Sequence, residues 1–349
     1  MGALVGVVVV AVALSAGACS DSGASPGSAE RRPTTVADGQ AGTPSTAAPP
    51  DGETALVDAV CDDSAELTDA GRIDAPEVTE ASGLVASWDN HGDGVAGPWW
   101  VHNDSGASAR IYAIDGTGGL RATVELVGAE NRDWEDIAIG PSAMPGGRQQ
   151  LYVGDIGNNK VRLGDSAARK TVRIYRLDEP VLGAPGPAGT PPPVLKATVT
   201  SFTLRYPDRT ADAEALVIDP ISGDLWLITK DWTFRGTSFV YRVPAAASIK
   251  NGATVDLIPA GEIHVGFGAL VTAADVTRDG SVVALRSYGA VALYRRPEGR
   301  PLGDAFTTEP CKGPVPTEMQ GESIAFAPDG GSYLTVSEGS DPMLHRTSP

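Results

Sequence analysis

The segments Glu135-Asp-Ile-Ala-Ile139 and Leu151-Tyr-Val-Gly-Asp155 form the stretch of sequence that decides the fold. Each is a short apolar run, a turn rich in Gly and Pro separates them, and the second run ends in an acidic residue. Short runs rich in Val, Ile and Tyr that are bounded by turn residues are typical of β-strands. The stretch therefore predicts an antiparallel hairpin that carries acidic residues at one end.

The same pattern recurs four more times along the chain. The equivalent first runs begin near Glu80, Glu214, Ala274 and Glu322, and a second apolar run follows each of them. A third strand usually comes next, as in Val172–Leu177. Four-stranded units at a spacing of about 50 to 80 residues are typical of propeller blades. We therefore predict an all-β fold, a five-bladed β-propeller, with six blades as the alternative count.

The fifth unit shows no outer strand of its own. The segment 65–78 precedes the first unit, and we expect it to supply that strand and to close the ring, which removes exposed sheet edges. Closure would bring Cys61 close to Cys311, which follows the third strand of the fourth blade. We therefore predict a Cys61–Cys311 disulfide, which would stabilise the fold by roughly a few kcal/mol. Two free buried thiols are the alternative.

The N-terminal residues indicate export. The uncharged apolar run Leu4–Leu14 is too short to span a bilayer and fits a signal peptide. The small residues that follow, up to Cys19, resemble a bacterial lipobox, in which the cysteine is acylated. We expect a lipoprotein signal peptide over 1–19 and a location on the outer face of the cell membrane. An ordinary cleaved signal peptide is the alternative.

Residues 20–55 are rich in Ser, Gly, Ala, Pro and Thr and contain few large apolar residues. Such a segment buries too little surface to offset the entropy of ordering, so we predict a disordered tether and a single propeller domain over 56–349, as a monomer. The net charge of −17 argues against binding nucleic acid, whose phosphates favour Lys and Arg. It is compatible with cation binding, and contact with the membrane would come through the lipid alone.

Acidic residues occupy the same places in nearly every unit, at the start of the first strand and the end of the second. These places lie at the same end of an antiparallel hairpin, so the ring should gather them at one mouth of the central channel. Clustered carboxylates raise one another's pKa, and a hard divalent cation such as Ca²⁺ is the usual compensation. The candidate metal ligands are Glu80, Asp104, Glu135, Asp155, Glu214, Asp231 and Glu322.

Two other interpretations of the acidic mouth remain open. The glutamates would accept hydrogen bonds from backbone N–H groups of the neighbouring blade and only position the ring. Alternatively, the mouth would carry chemistry, and His102 is then the candidate for acid–base catalysis because it lies beside Asp104.

The segment Asp133-Trp-Glu-Asp-Ile-Ala-Ile-Gly-Pro141, followed by Leu151–Asn159 and Ile174–Pro180, resembles exported bacterial propellers. These are similar to the phytase-like (esterase-like activity of phytase) and SdiA-regulated families, and the resemblance extends from about residue 77 to the end. Calcium-dependent propeller phytases hold Ca²⁺ and substrate phosphates at a carboxylate-lined mouth. By that resemblance, Glu135, Asp155 and Glu214 would be ligands.

Three functions are consistent with these observations. The first is a cell-envelope propeller that binds a divalent cation and presents the acidic face to a small ligand or to a cell-envelope protein. The second is a metal-dependent hydrolase of phosphate or carboxylic esters that uses a metal-bound water. The third is a scaffold that binds no metal. The sequence leaves open whether the protein is an enzyme.

Overall fold

The computed structural model describes residues 52–90, 97–164, 168–184, 186–187, 189–318 and 320–349. Five β-sheets succeed one another along this part of the chain, and the inner strand of each sheet contacts the inner strand of the next, including the fifth with the first. The prediction of a five-bladed β-propeller is confirmed. The predicted signal peptide, Cys19 and most of the predicted tether lie outside the described residues.

Each blade is an antiparallel sheet whose strands run outward from the channel, and two blades gain a fifth strand that pairs in parallel with the outer edge. From the channel outward, blade 1 contains Ala81–Ala86, Trp99–Asn103, Arg110–Ile114, Leu120–Val127 and the parallel Val194–Thr198, and blade 2 contains Trp134–Gly140, Gln150–Asp155, Thr171–Asp178, Thr200–Arg205 and the parallel Thr254–Asp256. Blade 3 contains Ala213–Ile218, Leu225–Thr229, Thr237–Val243 and Ile258–His264, and blade 4 contains Val271–Val276, Val282–Ser287, Ala290–Arg295 and Cys311–Gly313. Blade 5 contains Gly321–Phe326, Tyr333–Ser337, Met343–Ser348 and Glu66–Arg72. Short 3₁₀ turns lie at Asn159–Val161, Ala246–Ser248 and Leu302–Thr307.

The predicted closure of the ring by an N-terminal strand is confirmed. Glu66–Arg72 pairs antiparallel with Met343–Ser348 and forms the outer strand of blade 5. Immediately before it, Cys61 is bonded to Cys311 at the start of the outer strand of blade 4, with a Cα–Cα distance of 4.8 Å. The disulfide therefore joins the segment that closes blade 5 to the neighbouring blade.

The helix Gly52–Cys61 was not predicted, and its first four residues fall within the segment that the sequence favoured as tether. Leu56, Val57 and Val60 are buried on one side of this helix and pack against apolar residues of blades 4 and 5. The helix has only ten residues, which is too few for a clear helical period in the sequence. No helix among the described residues has both the length and the hydropathy needed to cross a bilayer.

Apolar clusters between neighbouring blades hold the ring together. Trp100 and Trp134 are fully buried between blades 1 and 2, whereas Trp99 is fully buried between blades 5 and 1. Burying side chains of this size contributes roughly 2 to 3 kcal/mol each. Because these contacts fix each blade against the next, they also fix the loops at the channel mouth relative to one another.

Candidate metal centre

A β-bulge near the start of the inner strand recurs in all five blades. The strand pairing shifts by one residue there, for example between Trp134 and Asp136 in blade 2. The residues at this bulge position are Ser82, Glu135, Glu214, Thr272 and Glu322. A bulge turns a side chain away from the direction that it would have in a regular strand. Three of the five bulge residues are glutamates that line one cavity at the channel mouth.

Two further positions in each blade surround the bulge residues. The leading position lies two residues before the bulge and holds Glu80, Asp133, Asp212, Leu270 and Gln320. The trailing position is the first residue after the second strand and holds Asp104, Ile156, Lys230, Tyr288 and Glu338. In blades 1, 3 and 5 the trailing N–H donates to the leading carbonyl at 2.8, 2.9 and 3.1 Å. This shared hydrogen bond shows that the leading and trailing positions of blades 1, 3 and 5 are equivalent.

The resulting cavity measures about 200 Å³ and collects residues from every blade. Its lining comprises Glu80, Asp104, Glu135, Asn159, Glu214, Lys230, Trp232, Tyr288, Gln320, Glu322 and Glu338. Five of the seven predicted ligands are therefore brought together: Glu80, Asp104, Glu135, Glu214 and Glu322. The sequence had treated Glu80 as the equivalent of Glu135. The pairing instead places Glu80 at the leading position, and Ser82 stands where Glu135 does.

Asp155 is outside the cavity lining because it precedes the trailing position by one residue. Its carboxylate accepts from Arg169 Nη1 at 2.6 Å, which supplies the compensating charge. Burial raises the pKa of Asp155, although Arg169 opposes the shift. Asp155 therefore stays a predicted ligand that lies outside the cavity lining, although Arg169 also reaches Asp133 of the mouth, at 3.8 Å.

Asp231 is outside the lining because it follows the trailing residue Lys230. Its carboxylate accepts hydrogen bonds from the backbone N–H groups of Thr233 and Thr237 at 2.9 and 3.0 Å, and so closes its own loop. Although burial opposes the shift, these bonds lower the pKa of Asp231. Asp231 therefore lies outside the cavity lining, and its assignment as a ligand stays a prediction.

The first carboxylate cluster lies between blades 1 and 2 and consists of Asp104, Asp133 and Glu135, whose oxygens lie within 4.8 Å of one another. Glu135 is 4% exposed, and its Oε1 has no hydrogen-bond partner among the described residues. Burial, with repulsion from the neighbouring carboxylates, raises the pKa of Asp104 to about 7. Burial also raises the pKa of Asp133 to about 6, and that of Glu135 well above its usual range.

The second cluster lies between blades 2 and 3 and consists of Glu135, Asp212 and Glu214, again with oxygens within 4.8 Å of one another. Its acids have more partners than those of the first cluster. Asp212 accepts from the Asn158 N–H and, at 2.5 Å, from Trp232 Nε1. Glu214 forms an ion pair with Lys230, with Nζ 3.0 Å from Oε1. Glu135 is common to both clusters and therefore lies at the centre of the acidic group.

A glycine allows the loop after the second strand of blade 2 to pass close to Glu135. A Cβ added to Gly157 would lie 1.8 Å from Glu135 Oε1 and 2.8 Å from the carboxyl carbon of Asp133. Any side chain at this position would therefore displace the Glu135 carboxylate. Gly157 therefore permits the close approach of backbone to carboxylate that encloses the first cluster.

Two aspartate side chains on the inner strands accept hydrogen bonds from backbone N–H groups of other blades. Asp136 is fully buried, and its Oδ2 accepts from the N–H groups of Leu216 at 2.9 Å and Ala274 at 3.4 Å, in blades 3 and 4. Asp275 Oδ2 accepts from the Phe326 N–H of blade 5 at 2.7 Å. These aspartates therefore have the positioning role that one interpretation of the sequence gave to the glutamates.

His102 lies within the wall of the channel. It is fully buried, its ring stands edge-on to Trp134, and Nδ1 lies 2.9 Å from the Asn103 carbonyl oxygen. Burial lowers the pKa of His102 to about 4, so the ring is neutral near pH 7. His102 is not part of the cavity lining, which separates this candidate for acid–base catalysis from the acidic mouth.

Sequence reasoning missed Asp133 and Asp212 as members of the clusters. A usable signal was present, because Asp133-Trp-Glu135 and Asp212-Ala-Glu214 repeat the pattern of an acid two residues before the bulge glutamate. The ion pair between Lys230 and Glu214 was not predicted either, and no short motif marks it.

Together, the blades and the mouth define a five-bladed β-propeller with clusters of buried acidic residues that could hold a metal ion. No protein-family model matches the chain, and no curated protein matches it. Of the resemblance to phytase-like and SdiA-regulated propellers, the findings therefore support the propeller fold alone. Among solved structures, Raptor from Chaetomium thermophilum is similar at 13% identity, with a TM-score of 0.37. The match covers 77% of this chain and 20% of the Raptor chain.

Proposed function

We propose that this propeller binds a divalent cation, Ca²⁺, at its acidic mouth and presents that face to a small ligand or a protein of the cell envelope. In this proposal the chain is exported, and acylated Cys19 holds it at the outer face of the membrane.

The observation that carries the proposal is the environment of Glu135. This carboxylate is almost completely buried, has neighbours of like charge on two sides, and leaves Oε1 without a hydrogen-bond donor among the described residues. A buried carboxylate in this state is costly unless a cation or a proton compensates it. Oxygen ligands of this kind suit Ca²⁺, which accepts six to eight of them.

The first cluster is the better position for the cation. Its nearest basic group among the described residues is Arg169, and Arg169 Nη2 is 3.8 Å from Asp133 while Nη1 is engaged by Asp155. The second cluster already has Lys230 at 3.0 Å from Glu214, and its Asp212 accepts two hydrogen bonds. We therefore assign Asp104, Asp133 and Glu135 as the protein ligands.

Thermal unfolding of the full chain in EDTA and in Ca²⁺ tests the proposal. Free Ca²⁺ at 100 times its Kd would stabilise the native state by about 2.7 kcal/mol, which raises the Tm by several degrees. Glu135→Gln should lose this response and still fold, since an amide has the shape of the carboxyl group but is a poor ligand for Ca²⁺. Asp256→Asn, at an exposed surface ion pair, is the matched control and should respond as the wild type does. A wild-type Tm that is the same in EDTA and in Ca²⁺ would favour a scaffold without metal.

A further inference from the structure

Lys230 stands at a place in the ring where two other blades carry an acid. The trailing residues of blades 1 and 5 are Asp104 and Glu338, and the trailing residue of blade 3 is Lys230. All three donate the same backbone hydrogen bond to the leading carbonyl, so their side chains start from equivalent backbone positions. One blade of the acidic mouth thus contributes a cation instead of a carboxylate.

The ammonium group of Lys230 is held from several sides. Its side chain is 4% exposed, and Nζ lies 3.0 Å from Glu214 Oε1, which is equally buried. The faces of Trp232 and Tyr288 lie 5.0 and 4.7 Å from Nζ, a distance at which aromatic rings attract a cation. Although burial opposes the shift, Glu214 and Glu322 raise the pKa of Lys230, so it stays charged.

We infer that Lys230 acts as a built-in cation that occupies the second carboxylate cluster and limits the mouth to one bound divalent ion. The cluster of Glu135, Asp212 and Glu214 has the ligand spacing of a metal site, and Glu135 Oε1 is buried and lacks a donor among the described residues. It differs from the first cluster in the ammonium group that neutralises Glu214 and in the two hydrogen bonds that Asp212 accepts. Removing that group would leave Glu214 available and create a second site for a hard divalent cation.

This inference rests on the proposed cation site, and calorimetric titration of the full chain with Ca²⁺ alone tests both. The wild type should bind one Ca²⁺ per chain, and Lys230→Met should bind two. The double variant Lys230→Met/Glu214→Gln should return to one, because the second cluster then lacks its carboxylate. Lys196→Met, which removes an exposed lysine paired with Glu125, is the matched control and should bind one.

The outcomes separate the two proposals. A wild type that binds no Ca²⁺ overturns the proposed function and, with it, the inference. A wild type that binds two ions, or a Lys230→Met variant that binds one, overturns the inference and leaves the proposed function intact. Because Lys230→Met leaves Glu214 buried without its partner, Lys230→Gln is the second variant. Its amide still donates to Glu214, and it should also bind two; a single ion would overturn the inference.

Discussion

The affinity of the mouth for Ca²⁺ should fall steeply between pH 8 and pH 6. A cation binds the ionised carboxylates, so every proton on a ligand must leave before binding. The pKa of Asp104 is about 7 and that of Asp133 is about 6. Both values lie well above the ordinary value of 3.8, because burial disfavours the charged forms.

The size of the effect follows from these two values. At pH 6 a group with a pKa of about 7 is about nine-tenths protonated, which weakens binding about tenfold relative to pH 8. A group with a pKa of about 6 adds about a factor of two. The Kd should therefore rise about 20-fold, equivalent to about 1.8 kcal/mol. The raised pKa of Glu135 acts in the same direction, so this figure is a lower bound.

The stability of the metal-free protein should change in the opposite direction. A carboxyl whose pKa is higher in the folded than in the unfolded chain contributes stability below the unfolded pKa, and this is lost as the pH rises through the folded pKa. In EDTA the Tm should therefore rise as the pH falls from 8 to 6, whereas in a fixed, limiting concentration of Ca²⁺ the increment due to the ion should shrink.

Isothermal titration at pH 6, 7 and 8, with thermal unfolding at the same values, measures both trends. Asp104→Asn should bind Ca²⁺ more weakly and show a flatter pH dependence, since it removes the group with the larger contribution. A wild-type Kd that is constant across this range would refute the assignment of buried, protonatable ligands. So would a metal-free Tm that falls as the pH is lowered from 8 to 6.

Three further predictions concern neighbouring parts of the fold. Asp136→Ala should destabilise the protein by about 3 kcal/mol, because two backbone N–H groups of other blades lose their acceptor. Asp275→Ala leaves one such N–H group without its acceptor and should destabilise the protein by about half as much. Urea unfolding measures the free energy of unfolding of both variants. Gly157→Ala should lower the Ca²⁺ affinity at least tenfold in calorimetry, because its Cβ would displace the Glu135 carboxylate. Replacing Cys61 by Ser removes the disulfide and should lower the free energy of unfolding by about 2 to 5 kcal/mol in the same urea assay. An unchanged urea midpoint would contradict the stabilising role of the disulfide.

The repeat in the sequence was sufficient to predict the blades, the closing strand and the mouth, because neighbouring residues determine where the short strands and turns lie. The ligand set was harder to predict. Asp155 and Asp231 differ from the trailing positions Ile156 and Lys230 by one residue each. A shift of one residue turns a side chain to the other face of a strand, and the sequence does not show where pairing ends.

The bulges limited the prediction in the same way. A bulge inserts one residue without a consistent sequence signature, so the glutamates at 135, 214 and 322 were recognisable whereas Ser82 and Thr272 at the same position were not. Thr272 and Ser82 donate instead to backbone carbonyls of the next blade, at 2.8 and 2.5 Å. Equivalence between blades became visible only from the strand pairing.

At the acidic mouth, carboxylates of like charge are buried together, although the rest of the fold is locally consistent. This unfavourable arrangement is the reason to prefer a functional interpretation of the mouth over a purely structural one. Backbone hydrogen bonds between blades are already supplied by Asp136 and Asp275, so the ring does not need Glu135 or Glu214 for that purpose. Burying these glutamates beside other acids lowers the stability of the metal-free chain. Departures of this kind from local consistency are expected where a site must bind something. The chain relieves the conflict at Glu214 with Lys230 and leaves it unrelieved at Glu135, which is where a cation would have most effect.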